Sequence, residues 1–211
     1  MRILAIGAHA DDIELGCGWT LAKLIEDGHT VKCLFTSQSV FTNEFWEIQR
    51  TRECVVRELK DAMDCLGVTD YQELDFPSKD VPYNSELVGE IDKVINEFNP
   101  DLIFTHWVFD THQSHRNTSE ATISAARNKN SILMYEPFPP SGRSYVPFRP
   151  QMYFDINIDK KIRAIKAHKS QLEKYGNDWF ESIEGRARIR GYETRQKNAE
   201  VFEVVRFKFV W

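Results

Sequence analysis

The sequence has no apolar run long enough to cross a membrane, no internal repeat and no low-complexity linker. A transmembrane helix needs about 18 or more consecutive apolar residues, so no membrane span is expected. The first residues enter a strand pattern directly, without the apolar region and cleavage site of a secretory signal. Four cysteines, Cys17, Cys33, Cys54 and Cys65, lack C-x-x-C spacing. This favours free thiols in a reducing cytoplasm over disulfides or a cysteine metal site.

A net basic charge is also missing. The chain carries 27 Lys and Arg against 32 Asp and Glu, which gives a formal charge of −5. Residues 160–211 are locally basic, and this segment either attracts an anionic ligand or forms solvated helical faces, of which we favour the second. Because the whole chain is acidic, nucleic acid is not an expected partner. No pattern encodes the oligomeric state, so a homo-oligomer is left open.

Strand and helix patterns alternate along most of the chain. Strands are predicted at residues 3–7, 31–35, 71–74, 101–106, 131–135, 152–158 and 201–210, and helices at residues 20–25, 45–66, 86–98, 117–127, 160–175 and 180–191. With 211 residues, 42% of them hydrophobic, we expect one domain over residues 1–211. The alternation predicts an α/β fold of the Rossmann-like, doubly wound type, with a mostly parallel sheet and helices on both faces. Its common strand order, 3-2-1-4-5, sets the first and fourth strands side by side.

Two clusters of chemically capable side chains follow those two strands. His9, Asp11 and Asp12 come directly after residues 3–7, and His112 and His115 come shortly after residues 101–106. Ligand sites of this fold form at the carboxyl ends of the strands, so the two clusters are expected to meet in one site.

The combined cluster has the composition of a catalytic metal site. A catalytic zinc usually takes three protein ligands, which here are His9, Asp12 and one of His112 or His115. Asp11 is then free to act as a general base toward water, and the other histidine is free to stabilise an oxyanion. Two histidines and a carboxylate also suit ferrous iron, the alternative metal. The competing interpretations are that the aspartates cap the next helix and that the two histidines are surface residues.

Two stretches of the sequence resemble the motifs of a known family. Residues 8–18 read Ala-His-Ala-Asp-Asp-Ile-Glu-Leu-Gly-Cys-Gly. This stretch is similar to the His-Pro-Asp-Asp motif, with its acidic, glycine-rich continuation, of the zinc-dependent N-deacetylases of the LmbE-like or PIG-L family. Residues 105–107 (Thr-His-Trp) and 110–115 (Asp-Thr-His-Gln-Ser-His) are similar to its second motif, Asp-x-His-x-Asp-His. Weaker similarity extends through residues 66–67, 135–137, 168–171 and 199–202.

The resemblance implies a role for each matching residue. His9, Asp12 and His115 are implied to bind zinc, Asp11 to be the general base, and His112 to be the acid or the oxyanion-stabilising group. The implied substrate is a small-molecule N-acetylamino sugar of the N-acetylglucosamine type, free, nucleotide-linked or part of a glycoconjugate. The family's substrate-contacting arginine is implied to lie on the helix predicted at residues 45–66, and Arg50 is our choice for it.

The sequence departs from the family pattern at three positions. Ala10 replaces a proline, Trp19 replaces a small residue and is expected to reshape the pocket, and Ser114 replaces an aspartate that would orient a histidine. Ser114 therefore leaves open an alternative function, a sugar- or nucleotide-binding module without catalysis. The loops at residues 36–46 and 137–150, the second of which contains five prolines, are expected to shape the substrate site.

Overall fold

The computed structural model describes residues 1–42, 48–129, 131–138 and 146–208. The strands are β1 (Arg2–Gly7), β2 (Thr30–Ser37), β3 (Phe41–Thr42), β4 (Ile48–Arg50), β5 (Asp70–Phe76), β6 (Leu102–Thr105), β7 (Ile132–Tyr135), β8 (Met152–Asp155) and β9 (Ala199–Arg206). The helices are α1 (Asp12–Glu26), α2 (Arg52–Leu66), α3 (Ser85–Phe98), α4 (Gln113–Ala125), α5 (Ile158–Ala167), α6 (Lys169–Tyr175) and α7 (Asp178–Glu193).

The main sheet has the order β5-β2-β1-β6-β7-β9-β8. The first five strands of this order, β5, β2, β1, β6 and β7, are parallel to one another, and β9 runs antiparallel to both of its neighbours, β7 and β8. β1, β2, β5, β6 and β7 correspond to the first, second, third, fourth and fifth predicted strands. The predicted order 3-2-1-4-5 is therefore confirmed, and with it the adjacency of β1 and β6. β3 and β4 form a separate antiparallel ribbon.

Alternate residues of β1 enter two different hydrophobic cores. Ile3 and Ala5 pack with residues of α1 and α2, whereas Leu4 and Ile6 pack with residues of α3 and α4. Because successive strand residues point to opposite faces, this alternation means that helices cover both faces of the sheet. The predicted α/β fold of the doubly wound type is confirmed. No helix in the described part of the chain is both long and apolar enough to cross a bilayer.

The helix predicted at residues 45–66 is wrong at its start. α2 begins at Arg52, and Arg50 is the last residue of β4. The reason is a cap: the Thr51 side chain accepts a hydrogen bond from the backbone N–H of Cys54 at 3.2 Å, which favours a helix start at this point. Residues 45–47 lie outside the described part of the chain.

Three other helix predictions also need correction. The helix predicted at residues 20–25 begins earlier, at Asp12, directly after the turn from β1. The helix predicted at residues 160–175 is divided into α5 and α6 at His168, whose backbone leaves the helical region at ψ 69°. The helix predicted at residues 117–127 begins earlier, at Gln113, so that His112 is its N-cap residue and His115 lies in its first turn. The proline-rich loop predicted at residues 137–150 lies partly outside the described residues.

Candidate active site

The site forms where two neighbouring parallel strands end. β1 pairs with β6 up to the residues Ala5 and Phe104. The turn from β1 into α1 carries His9, Asp11 and Asp12, and the segment from β6 into α4 carries His112 and His115. The ring centroids of His9 and His115 are 5.3 Å apart, so the two predicted clusters do meet.

His9, Asp12 and His115 could together hold a metal ion. Each offers one ligand atom, and the three atoms lie within 4.8 Å of one another. His9 Nδ1 is 3.3 Å from Asp12 Oδ2, and His115 Nε2 is 3.3 Å from Asp12 Oδ1. The other ring nitrogen of each histidine makes a hydrogen bond. His9 Nε2 lies 2.8 Å from the carbonyl oxygen of Ser78, and His115 Nδ1 lies 2.9 Å from the carboxylate of Asp110. Metal-binding histidines are typically held in this way, so the residues fit a divalent cation.

A second candidate group shares His115 and consists of His106, Asp110 and His115. His106 and Asp110 are only 2% and 1% exposed, and neither belongs to the wall of the cavity described below. His106 Nε2 lies 3.1 Å from Asp12 Oδ2, and its ring stacks on that of His115. Two of the three residues of this group lie outside the cavity wall, so His9, Asp12 and His115 are the better candidates.

Electrostatic interactions within the group oppose the effect of burial. Burial raises the pKa of Asp12, but His115, His106 and His9 outweigh it and hold this pKa well below its usual value. Burial lowers the pKa of His115, but the Asp12 carboxylate and the hydrogen bond that His115 donates to Asp110 outweigh this effect and raise the pKa to about 10. Without a metal, His115 is therefore a cation facing an anionic Asp12, and a bound cation would take the place of its proton.

Asp11 differs from Asp12 in its backbone conformation and in the direction in which its pKa is shifted. Its φ of 151° lies in a region that L-residues rarely adopt, and its side chain makes no capping hydrogen bond to the described residues of α1. The Asp12 carboxylate instead accepts hydrogen bonds from the backbone N–H groups of Ala8 and His9 at 3.0 and 2.6 Å. The alternative interpretation, in which Asp11 and Asp12 serve to cap α1, is therefore not supported by their hydrogen bonds. Burial and the neighbouring Asp12 raise the pKa of Asp11 to about 6.

His112 lies against two of the candidate ligands. Its ring stacks on that of His115 at a centroid distance of 4.3 Å and meets the ring of His9 edge-on at 5.0 Å. Burial and the charge of His115 lower the pKa of His112 to about 4, so its imidazole is neutral at pH 7.

Arg50 lies beneath the turn that carries the catalytic candidates. Its Nη1 donates to the carbonyl of Ala10 at 3.1 Å, and its Nη2 lies 3.0 Å from both Glu58 and His168. His168 is fully buried, and its other ring nitrogen is 2.7 Å from Glu14. Arg50 is also part of the cavity wall, although it ends a strand and does not lie on a helix.

These groups open into a cavity of about 1250 Å³. Its wall brings together His9, Asp11, Asp12, His112, His115, Arg50 and Gln171, and it continues over aromatic and basic side chains that include Phe41, Phe138, Lys174, Tyr175, Trp179, Arg186 and Arg190. All six predicted site residues therefore share one cavity. Trp19 is not in the described wall: it is 8% exposed and belongs to the core on the α1 side of the sheet, so the expected reshaping of the pocket is not observed.

Asp110, for which no role was predicted from the sequence, forms hydrogen bonds with two of the predicted site residues, His112 and His115. Its carboxylate accepts hydrogen bonds from the ring of His115 and from the backbone N–H of His112 at 2.8 Å. Ser114 is buried and donates instead to the carbonyl of Ser78, the group that also holds His9. The orienting carboxylate expected at position 114 is thus supplied by position 110. The only sequence signal for it was its place at the start of the second motif.

Both the sequence and the fold have counterparts among known proteins. The pattern of the PIG-L family, described as GlcNAc-PI de-N-acetylase, matches residues 4–126. The uncharacterized deacetylase YaiS of Escherichia coli is 31% identical over 178 residues, which cover 80% of this chain and 90% of YaiS. The diacetylchitobiose deacetylase of Thermococcus kodakarensis is 29% identical over 81% of this chain and 70% of its own length. The conserved protein TT1542 of Thermus thermophilus has the same fold, with a TM-score of 0.83 and 22% identity over 99% of this chain and 96% of its own.

The chain belongs to the PIG-L, or LmbE-like, family. The predicted family is thus confirmed, and the predicted activity, N-deacetylation of an acetylamino sugar, is confirmed at the level of the family.

Proposed function

We propose that this protein is a zinc-dependent hydrolase that removes the acetyl group from an N-acetylamino sugar. The observation that carries the proposal is the group His9, Asp12 and His115, which lies in the cavity wall with Asp11 beside it. A cavity of about 1250 Å³ is large enough for an acetylated sugar that bears a further group. Ferrous iron suits the same three ligands and is the alternative metal.

The side chains around this group supply a base and an oxyanion donor for the reaction. His9, Asp12 and His115 would hold a divalent cation, which would supply Lewis acidity toward the amide carbonyl and make water easier to deprotonate. Asp11 accepts the proton of the attacking water and passes it to the leaving amine, so that acetate and a free amino sugar are the products. The neutral imidazole of His112 donates an N–H to the oxygen on which negative charge develops.

Arg50 has a place in the cavity wall that is compatible with a substrate contact. Two of its nitrogens bind Ala10, Glu58 and His168, while its buried Nε has no hydrogen-bond partner among the described residues. We therefore assign Arg50 the task of holding the turn that carries Asp11, and its contact with the substrate stays a prediction from the family resemblance.

Three broader predictions accompany the enzymatic proposal. Residues 1–211 form one deacetylase domain, since β8 and β9, beyond the family match, extend the same sheet. The cytoplasm is the proposed location, and the four cysteines are free thiols, as a reducing compartment favours. A homo-oligomer stays an open prediction.

An acetate-release screen tests the proposed function. The substrates are N-acetylamino sugars in free, nucleotide-linked and glycosidic form, each assayed with and without a chelator, and the metal content of the protein is measured in parallel. The expected result is acetate release from at least one sugar, loss of release with chelator, and about one metal ion per chain. Purification without air distinguishes iron from zinc.

The alternative, a sugar-binding module without catalysis, predicts a different result. Such a module binds an acetylated sugar but releases no acetate in any metal state. The contact of Asp110 with His115 counts against this alternative, because the aspartate missing at position 114 was the reason to consider it.

A further inference from the structure

A buried hydrogen-bond network lies beneath the turn that carries Asp11, and His168 is at its centre. Nδ1 of His168 lies 3.0 Å from Nη2 of Arg50, and Nε2 lies 2.7 Å from the carboxylate of Glu14 on α1. His168 and Glu14 are fully buried and Arg50 is only 1% exposed, so these contacts are shielded from water. The proposed function assigns a task to Arg50 and none to His168.

The two contacts of the His168 ring fix where its proton lies. A guanidinium group only donates hydrogen bonds, so Nδ1 of His168 accepts from Arg50 and carries no proton. Because the other ring nitrogen then carries the proton, Nε2–H donates to Glu14. His168 is therefore a neutral ring that connects a carboxylate of α1 with the guanidinium group at the end of β4.

Arg50 passes this support on to the peptide unit that precedes the proposed base. Its Nη2 donates to both Glu58 and His168, and these two acceptors set the plane of the guanidinium group. Its Nη1 donates to the carbonyl of Ala10 at 3.1 Å, in the peptide unit that joins Ala10 to Asp11. The φ of Asp11 is 151°, and a backbone in such a sparsely populated region persists only where its surroundings hold it.

We propose that His168 is a positioning residue for the deacetylation reaction: it accepts a hydrogen bond from Arg50 and thereby fixes the orientation of Asp11. The inference rests on the proposed function, in which Asp11 is the base, and adds a residue that acts on this base from a distance. His168 is not part of the described cavity wall, so it does not touch the substrate. Its loss is therefore expected to lower kcat and to leave KM unchanged.

The test uses two variants that each keep one contact of the ring. In His168→Asn the amide oxygen takes the place of Nδ1 and still accepts from Arg50, whereas in His168→Gln the longer amide reaches the place of Nε2 and still donates to Glu14. Acetate release is measured on the sugar of the screen that wild type cleaves best, and bound zinc is counted on the same samples.

The two variants are expected to differ in kcat. For His168→Gln, kcat is expected to fall about 10- to 100-fold with KM and bound zinc unchanged, because a small displacement of a catalytic group has an effect of this size. For His168→Asn, kcat per zinc-loaded chain is expected to stay within about threefold of wild type. The urea midpoint of His168→Asn is expected to fall, because Glu14 loses its hydrogen-bond donor.

A control and a second readout separate positioning from a purely structural role. The Lys169→Gln variant changes the exposed residue next to His168 and is expected to leave kcat and KM unchanged. Nitrogen NMR of histidine-labelled wild type reports the ring directly and does not depend on activity. The signals of His168, assigned by their absence in His168→Gln, are expected to show an unprotonated Nδ1 and a protonated Nε2.

The inference is overturned if His168→Gln keeps the kcat of wild type, if His168→Asn loses at least as much kcat as His168→Gln, or if the loss lies in KM or in bound zinc. A proton on Nδ1 in the NMR spectrum also overturns it. If one variant does not fold, the kcat of the other decides, and if neither folds, His168 is needed for folding and the inference fails. Each of these results leaves the deacetylase function intact, whereas a wild type that releases no acetate from any sugar overturns the proposed function and this inference with it.

Discussion

Asp110 fixes the orientation of the His115 ring. Its carboxylate accepts a hydrogen bond from Nδ1 of His115, so that Nε2 points toward Asp12, and it also accepts one from the backbone N–H of His112. Because Asp110 is only 1% exposed, water does not readily replace these contacts. One buried carboxylate therefore fixes two of the proposed site residues, although it does not itself belong to the cavity wall.

The Asp110→Asn variant is expected to bind zinc about 10- to 100-fold more weakly, because the amide supports the ring of His115 less well than a carboxylate does. Zinc affinity is measured by competition with a chromophoric chelator. Asp80→Asn is the matched control, since Asp80 is exposed and accepts a hydrogen bond from the Gln113 side chain on the same helix. Equal affinities of Asp110→Asn and wild type would show that Asp110 does not orient a ligand.

At the scale of elements, α1 packs unusually closely on the sheet below the catalytic turn. A methyl group added at Gly16 would overlap the ring of Tyr135 on β7. The Tyr135 hydroxyl donates to the carbonyl of Ile6 on β1 at 3.0 Å, which fixes the ring in place. The glycine thus lets the helix that starts at Asp12 approach the strands that carry the site.

The Gly16→Ala variant is expected to lower the free energy of unfolding by about 1–3 kcal/mol, because either the ring or the helix has to move. Urea denaturation measures this change. Gly89→Ala provides the control, because Gly89 lies in α3 and an added methyl meets no atom within 4 Å. There alanine is expected to stabilise the protein by up to about 1 kcal/mol through its helix propensity. A stability gain at both positions would contradict the close packing at Gly16.

The elements that the sequence predicted correctly are those whose pattern is local. The order of the first five strands follows from alternating strands and helices, and with it the meeting of His9 and His115. The start of α2 and the break at His168 were missed, because a cap and a buried imidazole decide them.

At the scale of the whole molecule, the sheet brings two distant parts of the chain to one site. Residues 4–126, which match the family pattern, supply the candidate metal ligands, the candidate base and Arg50. The later helices α6 and α7 supply the aromatic and basic far wall of the cavity, with Lys174, Tyr175, Trp179 and Arg186 among its residues. This division suggests that the first part determines the reaction and the second part the substrate.

Acetate release by the Asp11→Asn variant tests the central claim most directly, provided that bound zinc is counted on the same samples. Asparagine keeps the shape of Asp11 but cannot take a proton, so release is expected to fall about 10²- to 10⁴-fold while zinc stays bound. His115→Ala is expected to lose the zinc itself, and Asp27→Asn, at the exposed end of α1, to behave as wild type. Full acetate release by zinc-loaded Asp11→Asn would contradict the account.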